Sequence, residues 1–292
     1  LHELALFAGA GGGILGSKLL GWDTRCAVEI NPYCQQVLLA RQRDGILPRF
    51  PIWDDIETFD GRPWRGSIDI VTGGFPCQDI SCAGKGMGIT GKSSGLFFEM
   101  LRIIKEVQPT FVLAENSPHL RTKGLGTVVE GLTSLGYVGC HGVLGAWHVG
   151  APHERNRMWI AATHPDRHKL WEQSRRGSGE NREKETKSDN DIENLWKKEV
   201  ANNTTPRCLA AWGIRDRFEL EKPLFKRHVK MADQRAHKTT YWEAEPNVGR
   251  VVPGMASGLD RLKALGNGQV PLVAATAWTI LSESLKNFTE IT

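Results

Sequence analysis

Leu4-Ala5-Leu6-Phe7-Ala8-Gly9-Ala10-Gly11-Gly12-Gly13 decides how this chain folds. Its first four residues form an apolar run of strand length, and the run empties into a glycine-rich turn. Glycines allow a tight turn and let the backbone come close to a ligand. Residues 14–20 then read as a helix. Working outward, the same alternation repeats. Cys26-Ala27-Val28-Glu29 reads as a second strand and 32–43 as a helix. Ile68-Asp69-Ile70-Val71 is a strand, followed by an amphipathic helix over 95–107. Phe111-Val112-Leu113-Ala114 is a strand, followed by a helix over 124–135. Two more strands are expected near 138–146 and 157–163, and 271–285 reads as a closing helix with Pro271 in its first turn. This βαβα order argues for an α/β fold, a parallel sheet with helices on both faces.

The chain has 292 residues, 40% of them hydrophobic, enough for a large domain with a smaller second one. It opens on Leu1 rather than Met, which points to a trimmed or processed start. No run approaches the roughly 18 apolar residues that span a membrane, and no signal peptide is visible, so a soluble cytoplasmic protein is expected. Formal net charge is +4, which permits a nucleic-acid partner. Over 165–200 acidic and basic residues balance, and over 201–245 Lys and Arg outnumber Asp and Glu. Character changes after His164. Residues 165–205 are half charged with little apolar periodicity, and 206–245 interleave aromatic with basic residues. A small second domain over 165–250 is expected, with 1–164 and 251–292 forming the larger one. None of the six cysteines forms a C-x-x-C pair and none has zinc-finger spacing, so no metal is expected. Apart from Cys77, they read as reduced, buried thiols.

Gly73-Gly74-Phe75-Pro76-Cys77-Gln78 follows a strand and sets a cysteine at its carboxyl end. In open α/β sheets ligands bind at that edge, so Cys77 is placed to be a nucleophile. Glu29 ends the second strand, where a carboxylate can accept hydrogen bonds from both hydroxyls of a ribose. With the first glycine turn it indicates an adenosine-containing cofactor. Gly11-Gly12-Gly13-Ile14-Leu15-Gly16 satisfies the dinucleotide pattern G-x-G-x-x-G, but S-adenosylmethionine enzymes use a looser glycine turn, and both remain open at this point. Three further pieces lie farther along. Ala114-Glu115-Asn116-Ser117 ends a strand, on the same expected edge as Cys77. His153-Glu154-Arg155-Asn156-Arg157 precedes the apolar run from Met158. Gly266-Asn267-Gly268-Gln269-Val270 precedes the last helix.

In this order and spacing the chain resembles the cytosine-C5 DNA methyltransferases. The resemblance covers about 1–163 and 251–285, and the stretch between falls where that family keeps its variable target-recognition domain. It implies a Rossmann-like S-adenosylmethionine-dependent methyltransferase sheet with helices on both faces, plus a smaller irregular target-recognition domain. It implies S-adenosyl-L-methionine as cofactor, bound by the turn of Phe7, Ala8, Gly9, Gly11 and Gly12, by Glu29 and Ile30, by Asp55 and Ile56 flanking the adenine, and by Pro76 and Asn267. Double-stranded DNA is the implied partner, met by Gln78 and Ser81 in a glycine-rich loop over 79–96 that closes on a flipped base. From the recognition region, Arg207, Arg215, Arg217, Lys226, Arg227 and Lys230 are the candidates for phosphates or base edges. The resemblance further suggests a monomeric bacterial or phage modification enzyme, orphan or paired with a cognate restriction endonuclease.

The chemistry demands these residue types. Carbon 5 of cytosine is too weak a nucleophile to take a methyl group from a sulfonium. A thiolate adding at carbon 6 makes the ring an enamine, and cysteine can leave again afterwards. Charge developing at N3 is relieved by a protonated carboxyl, and that at O2 by a guanidinium. The roles fall to Cys77, Glu115 and Arg157, with Arg155 beside them. Two positions depart from the family pattern: Ser117 stands where Val is usual, and His153 where Gln is usual. An RNA cytosine-5 methyltransferase, an inactive DNA-binding homologue and an NAD-dependent dehydrogenase are the competing readings.

Overall fold

In a computed structural model, which describes residues 1–76, 95–122, 124–177, 212–214 and 256–289, the strands join one eight-stranded sheet. They are β1 (His2–Leu6), β2 (Asp23–Val28), β3 (Ile52–Trp53), β4 (Ile70–Gly74), β5 (Phe111–Asn116), β6 (Val138–Leu144), β7 (Arg157–Thr163) and β8 (Trp212–Ile214), in the order β3-β2-β1-β4-β5-β7-β6-β8. From β3 to β5 every neighbour is parallel. The expectation of a wholly parallel sheet needs correcting at β7, which runs antiparallel to both β5 and β6. Between β6 and β7 the chain makes only a short 3-10 turn, Ala146–Val149. A parallel crossover usually carries a helix across the sheet, and this connection has none, so it returns the chain antiparallel.

The sheet's two faces carry separate cores. Leu4, Leu6, Val71, Val112 and Ala114 face Phe97, Met100, Ile103, Ile104 and Val107 of α3 (Leu96–Val107) and Val128 and Leu132 of α4 (Leu125–Ser134). These α3 residues recur at helical spacing, which gives that helix one apolar face. It stops at Gln108, whose φ of 55° is left-handed, immediately before Pro109. The other face is covered by α1 (Gly12–Leu19), α2 (Pro32–Arg43) and α7 (Pro271–Thr289). Asn31 starts α2, its Oδ1 accepting from the amides of Tyr33 and Cys34 at 2.9 and 3.2 Å, with Pro32 next.

Two more helices come from segments where sequence periodicity is weak: α5 (Pro165–Gly177) and α6 (Ala256–Asn267). His168 and Trp171 of α5 pack edge-on against Phe111 of β5, at 5.4 and 5.3 Å between ring centroids. Cys26, Cys34 and Cys140 are buried, as expected, and burial pushes the Cys26 thiol up to about 12 and Cys34 up to about 11. Such thiols are inert at neutral pH. Among the described residues no helix is long and apolar enough to cross a membrane, and no cluster of side chains has the makings of a metal site.

Candidate active site

β1 lies between β2 and β4, so the chain leaves it toward one side for β2 and later returns on the other for β4. The crevice beyond such a switch point is where open α/β sheets bind ligands. The glycine turn leaves β1 there and the Phe75-Pro76 turn leaves β4 beside it.

The first turn is tied to the end of β2. The Ala8 amide donates to the Val28 carbonyl at 3.1 Å, and the Gly9 amide donates to Glu29 Oε2 at 2.6 Å. Glu29 Oε1 accepts from the Asn31 amide at 2.8 Å. Glu29 is therefore buried and fixed, yet each carboxylate oxygen keeps a lone pair for another donor. Phe7 and Gly9 hold left-handed backbone, φ 52° and 54°. A Cβ added at Gly9 would meet nothing within 4 Å, so that side of the turn is open. Next to Glu29, Ile30 is 70% exposed, and Trp53 at the end of β3 is also exposed. An open glycine, a fixed carboxylate and apolar groups left on the surface fit the adenosine end of S-adenosylmethionine. Two expected contacts have a different setting: Ile56 is buried in the α3-side core with its carbonyl accepting from Arg102 at 2.7 Å, and Asp55 accepts from the Glu57 amide at 2.9 Å.

Glu115 is the penultimate residue of β5, opposite Gly74 on one side and Trp159 on the other. Its side chain is almost wholly buried, and Arg157 Nε donates to Oε1 at 3.0 Å. Burial holds the Glu115 carboxyl above the usual carboxylate range, outweighing the opposing pull of Arg157 and of the Gln269 amide. Asn116, next in the strand, points to the other face. Its Nδ2 donates to the Phe75 carbonyl at 2.9 Å and so anchors the turn that leads to Cys77. Ser117 caps the short turn Pro118–Arg121 through its hydroxyl, a use for the residue that replaces the usual Val.

The paired arginines separate. Arg157 starts β7 and meets Glu115. Arg155, with a left-handed φ of 37°, sends Nη2 to the Gly266 carbonyl at 2.7 Å and to the Gly268 carbonyl. It secures the turn between α6 and α7, where Asn267 is exposed. Cys77, Gln78, Ser81, Arg207, Arg215, Arg217, Lys226, Arg227 and Lys230 lie outside the described residues. Pro76, exposed at the end of the described segment, is where the chain enters the cysteine turn.

One residue of this site has no counterpart among the sequence expectations. Gln269 lies within the Gly266–Val270 run, in which the family resemblance singles out Asn267. Its Nε2 donates to Glu115 Oε2 at 3.4 Å. A polar side chain between a glycine turn and an apolar helix was the available signal.

A family model described as C-5 cytosine-specific DNA methylase matches residues 2–246. The type II methyltransferase M.Eco47II of Escherichia coli is 35% identical over 172 residues, covering 56% of this chain and 39% of its own length. The type II methyltransferase M.CviJI of Paramecium bursaria Chlorella virus IL3A is 35% identical over 167 residues, covering 56% of this chain and 44% of its own. This chain therefore spans less than half the length of either relative. Among solved structures, the S. pombe Dnmt2 methyltransferase overlays 56% of this chain and 49% of its own at 22% identity and a TM-score of 0.45.

Proposed function

Because the chain belongs to the C-5 cytosine-specific DNA methylase family, we propose that it is a DNA (cytosine-5-)-methyltransferase acting on a flipped-out cytosine in double-stranded DNA. The observation that carries this reading is the buried Glu115 carboxyl, ion-paired with Arg157 at 3.0 Å, on the strand beside the one that runs into Pro76 and Cys77. S-adenosylmethionine, when bound, supplies a methyl group made electrophilic by its sulfonium. The Cys77 thiolate adds to carbon 6 of the base. Glu115, whose hold on a proton burial strengthens, donates to N3 as electron density moves into the ring, and Arg157 stabilises the charge at O2. Carbon 5 then takes the methyl group, a base removes the carbon-5 proton, and the Cys77 sulfur leaves carbon 6 with its electron pair.

The same reading assigns Phe7, Ala8, Gly9, Gly11, Gly12, Glu29, Ile30, Asp55, Ile56, Pro76 and Asn267 to the methyl donor, with Glu29 on the ribose. Arg155 has a positioning role through its bonds to the Gly266 and Gly268 carbonyls. Residues 1–164 with 251–292 form the catalytic domain and 165–250 the target-recognition domain, whose Arg207, Arg215, Arg217, Lys226, Arg227 and Lys230 contact DNA along with Gln78 and Ser81. The enzyme works as a cytoplasmic monomer of the bacterial or phage modification type, orphan or alongside a cognate restriction endonuclease.

Duplex DNA carrying 5-fluorocytosine tests the reading. Fluorine cannot be removed as a proton is, so a productive enzyme stays covalently joined to its target. Wild-type protein with S-adenosylmethionine should form an adduct that survives denaturing electrophoresis, and Cys77→Ser should bind the duplex without forming one. An adduct of equal yield in Cys77→Ser, or none in the wild type while the duplex is bound, sinks the proposal.

A further inference from the structure

We propose that Gln269 is a positioning residue that couples the packing of the first glycine turn to the Glu115 carboxyl. Its consequence for methyl transfer rests on the function proposed above.

Three observations meet at this side chain. First, Gln269 Nε2 donates to Glu115 Oε2, the oxygen that Arg157 does not use. Second, the opposite end of the same amide lies against α1. A Cβ on Gly13 would stand 2.5 Å from Gln269 Oε1, and one on Gly12 would overlap the Gln269 backbone carbonyl. Third, Gly74, which leads into the cysteine turn, has the same neighbours. A Cβ there would stand 2.7 Å from Glu115 Oε2 and 3.1 Å from Gln269 Nε2. The Gly12, Gly13 and Gly74 positions are therefore bare because Gln269 and Glu115 fill the space that side chains would need.

Gln269 is also held from behind. Arg155 grips the carbonyls of Gly266 and Gly268, and Pro271 begins α7 two residues on. A small cavity lined by Glu3, Thr72, Trp159 and Gln269 lies on the same face of the sheet. The backbone of the turn is thus fixed from behind. Displacing α1's first residues shifts the amide, and the amide's donation to Glu115 shifts with it.

The sign of the effect follows from the bond. An N–H donor favours the ionised carboxylate, so losing the donor lets Glu115 hold its proton to higher pH. Gln269→Met keeps the length and volume of the side chain and removes the donor. Gly13→Ala leaves Gln269 in place and pushes its Oε1. Full-length protein labelled with carboxyl-13C glutamate reports the Glu115 titration directly, with Glu115→Gln identifying the resonance. In both variants the Glu115 midpoint should rise, by about half a pH unit or more. In methylation assays Gln269→Met should lose about tenfold in kcat while KM for S-adenosylmethionine stays within about twofold, the pattern of a misplaced reacting group. The alkaline fall of kcat should move to higher pH in step with the titration.

Unchanged Glu115 midpoints in both variants overturn the proposal. So does a loss confined to donor KM or to thermal stability, which would make Gln269 a packing residue. If Gln269→Met fails to fold, an unshifted Gly13→Ala decides against coupling. The titration needs neither DNA nor methyl donor. A wild-type protein that methylates nothing would remove the function proposed above and leave the coupling measurable.

Discussion

A carboxyl proposed as an acid is helped by anything that strengthens its hold on a proton, and at Glu115 that agent is burial. Arg157 opposes it from 3.0 Å, but the net direction is upward. Glu115→Gln preserves shape and an acceptor for Arg157 while removing the exchangeable acid. Single-turnover methylation at pH 7 should slow by about 10²- to 10⁴-fold, the usual range for a lost general acid, with DNA affinity by gel shift little changed; a rate within threefold of wild type would remove Glu115 from the chemistry. The two arginines show how far residue types alone could be read. Within His153–Arg157 the sequence reading gave the O2 role to Arg157 and left Arg155 beside it without a distinct task. Their separation depends on the left-handed backbone at Arg155, which turns one side chain to the Gly266 carbonyl while β7 aims the other at Glu115. Backbone sign at a non-glycine residue has no signature in residue type. Ser117 was equally illegible: it looked like an erosion of the family pattern, and its hydroxyl caps a turn.

Among the elements, β1 carries the oddest residue of the sheet. Glu3 is wholly buried in the middle of it, where Ser17 of α1, Thr24 of β2 and Thr72 of β4 all donate to its carboxyl at 2.7 Å. Three hydroxyls pin the strand to both neighbours and to the helix above, yet burial still raises the carboxyl from its ordinary value. A raised folded-state value means the folded protein holds a proton that the unfolded chain releases once pH exceeds the unfolded value, about 4.3. Stability then falls as pH climbs toward the folded value. Glu3→Gln cannot ionise, so its thermal midpoint should gain on wild type as pH rises above the unfolded value, by scanning calorimetry. A gap that stays constant as pH rises would mean that Glu3 does not titrate with folding. Most of the elements expected from sequence, β1, β2, β4, β5, β7, α3 and α7, have continuous apolar runs or an apolar helical face. Two elements outside those expectations give little signal of that kind. β3 is two residues long. The buried side of α5 includes His168 and Trp171 rather than an aliphatic stripe. The reversal of β7 lay in a connection without a crossover helix, which a strand-by-strand reading does not weigh.

At the scale of the whole molecule, the sheet is finished by a segment remote in sequence. α7 lays Val273, Ala277, Leu281 and Leu285 on one face of the sheet, with Trp278 edge-on to Trp22 and Phe111 at 5.1 and 5.5 Å. Gly16 of α1 exists for this contact, since a Cβ there would stand 2.8 Å from the Pro271 carbonyl and 2.9 Å from the Ala274 side chain. The same segment brings Gln269 to Glu115 and the Gly266–Gly268 carbonyls to Arg155. Core and catalytic edge therefore depend on one long-range docking event. Burying side chains such as Val273, Leu281 and Leu285 is worth about 1.5–3 kcal/mol each. With Trp278 their sum approaches the about 5–15 kcal/mol that a domain possesses in total. Ending the chain at residue 255 should accordingly abolish the cooperative urea transition followed by tryptophan fluorescence. Supplying 256–292 as a separate peptide should restore it, at a midpoint that rises with peptide concentration, because the peptide binds only the folded form. A truncated chain with an unchanged midpoint would show that 1–255 folds independently. In that case α7 would serve the active-site edge alone, and the peptide would restore methylation without altering stability.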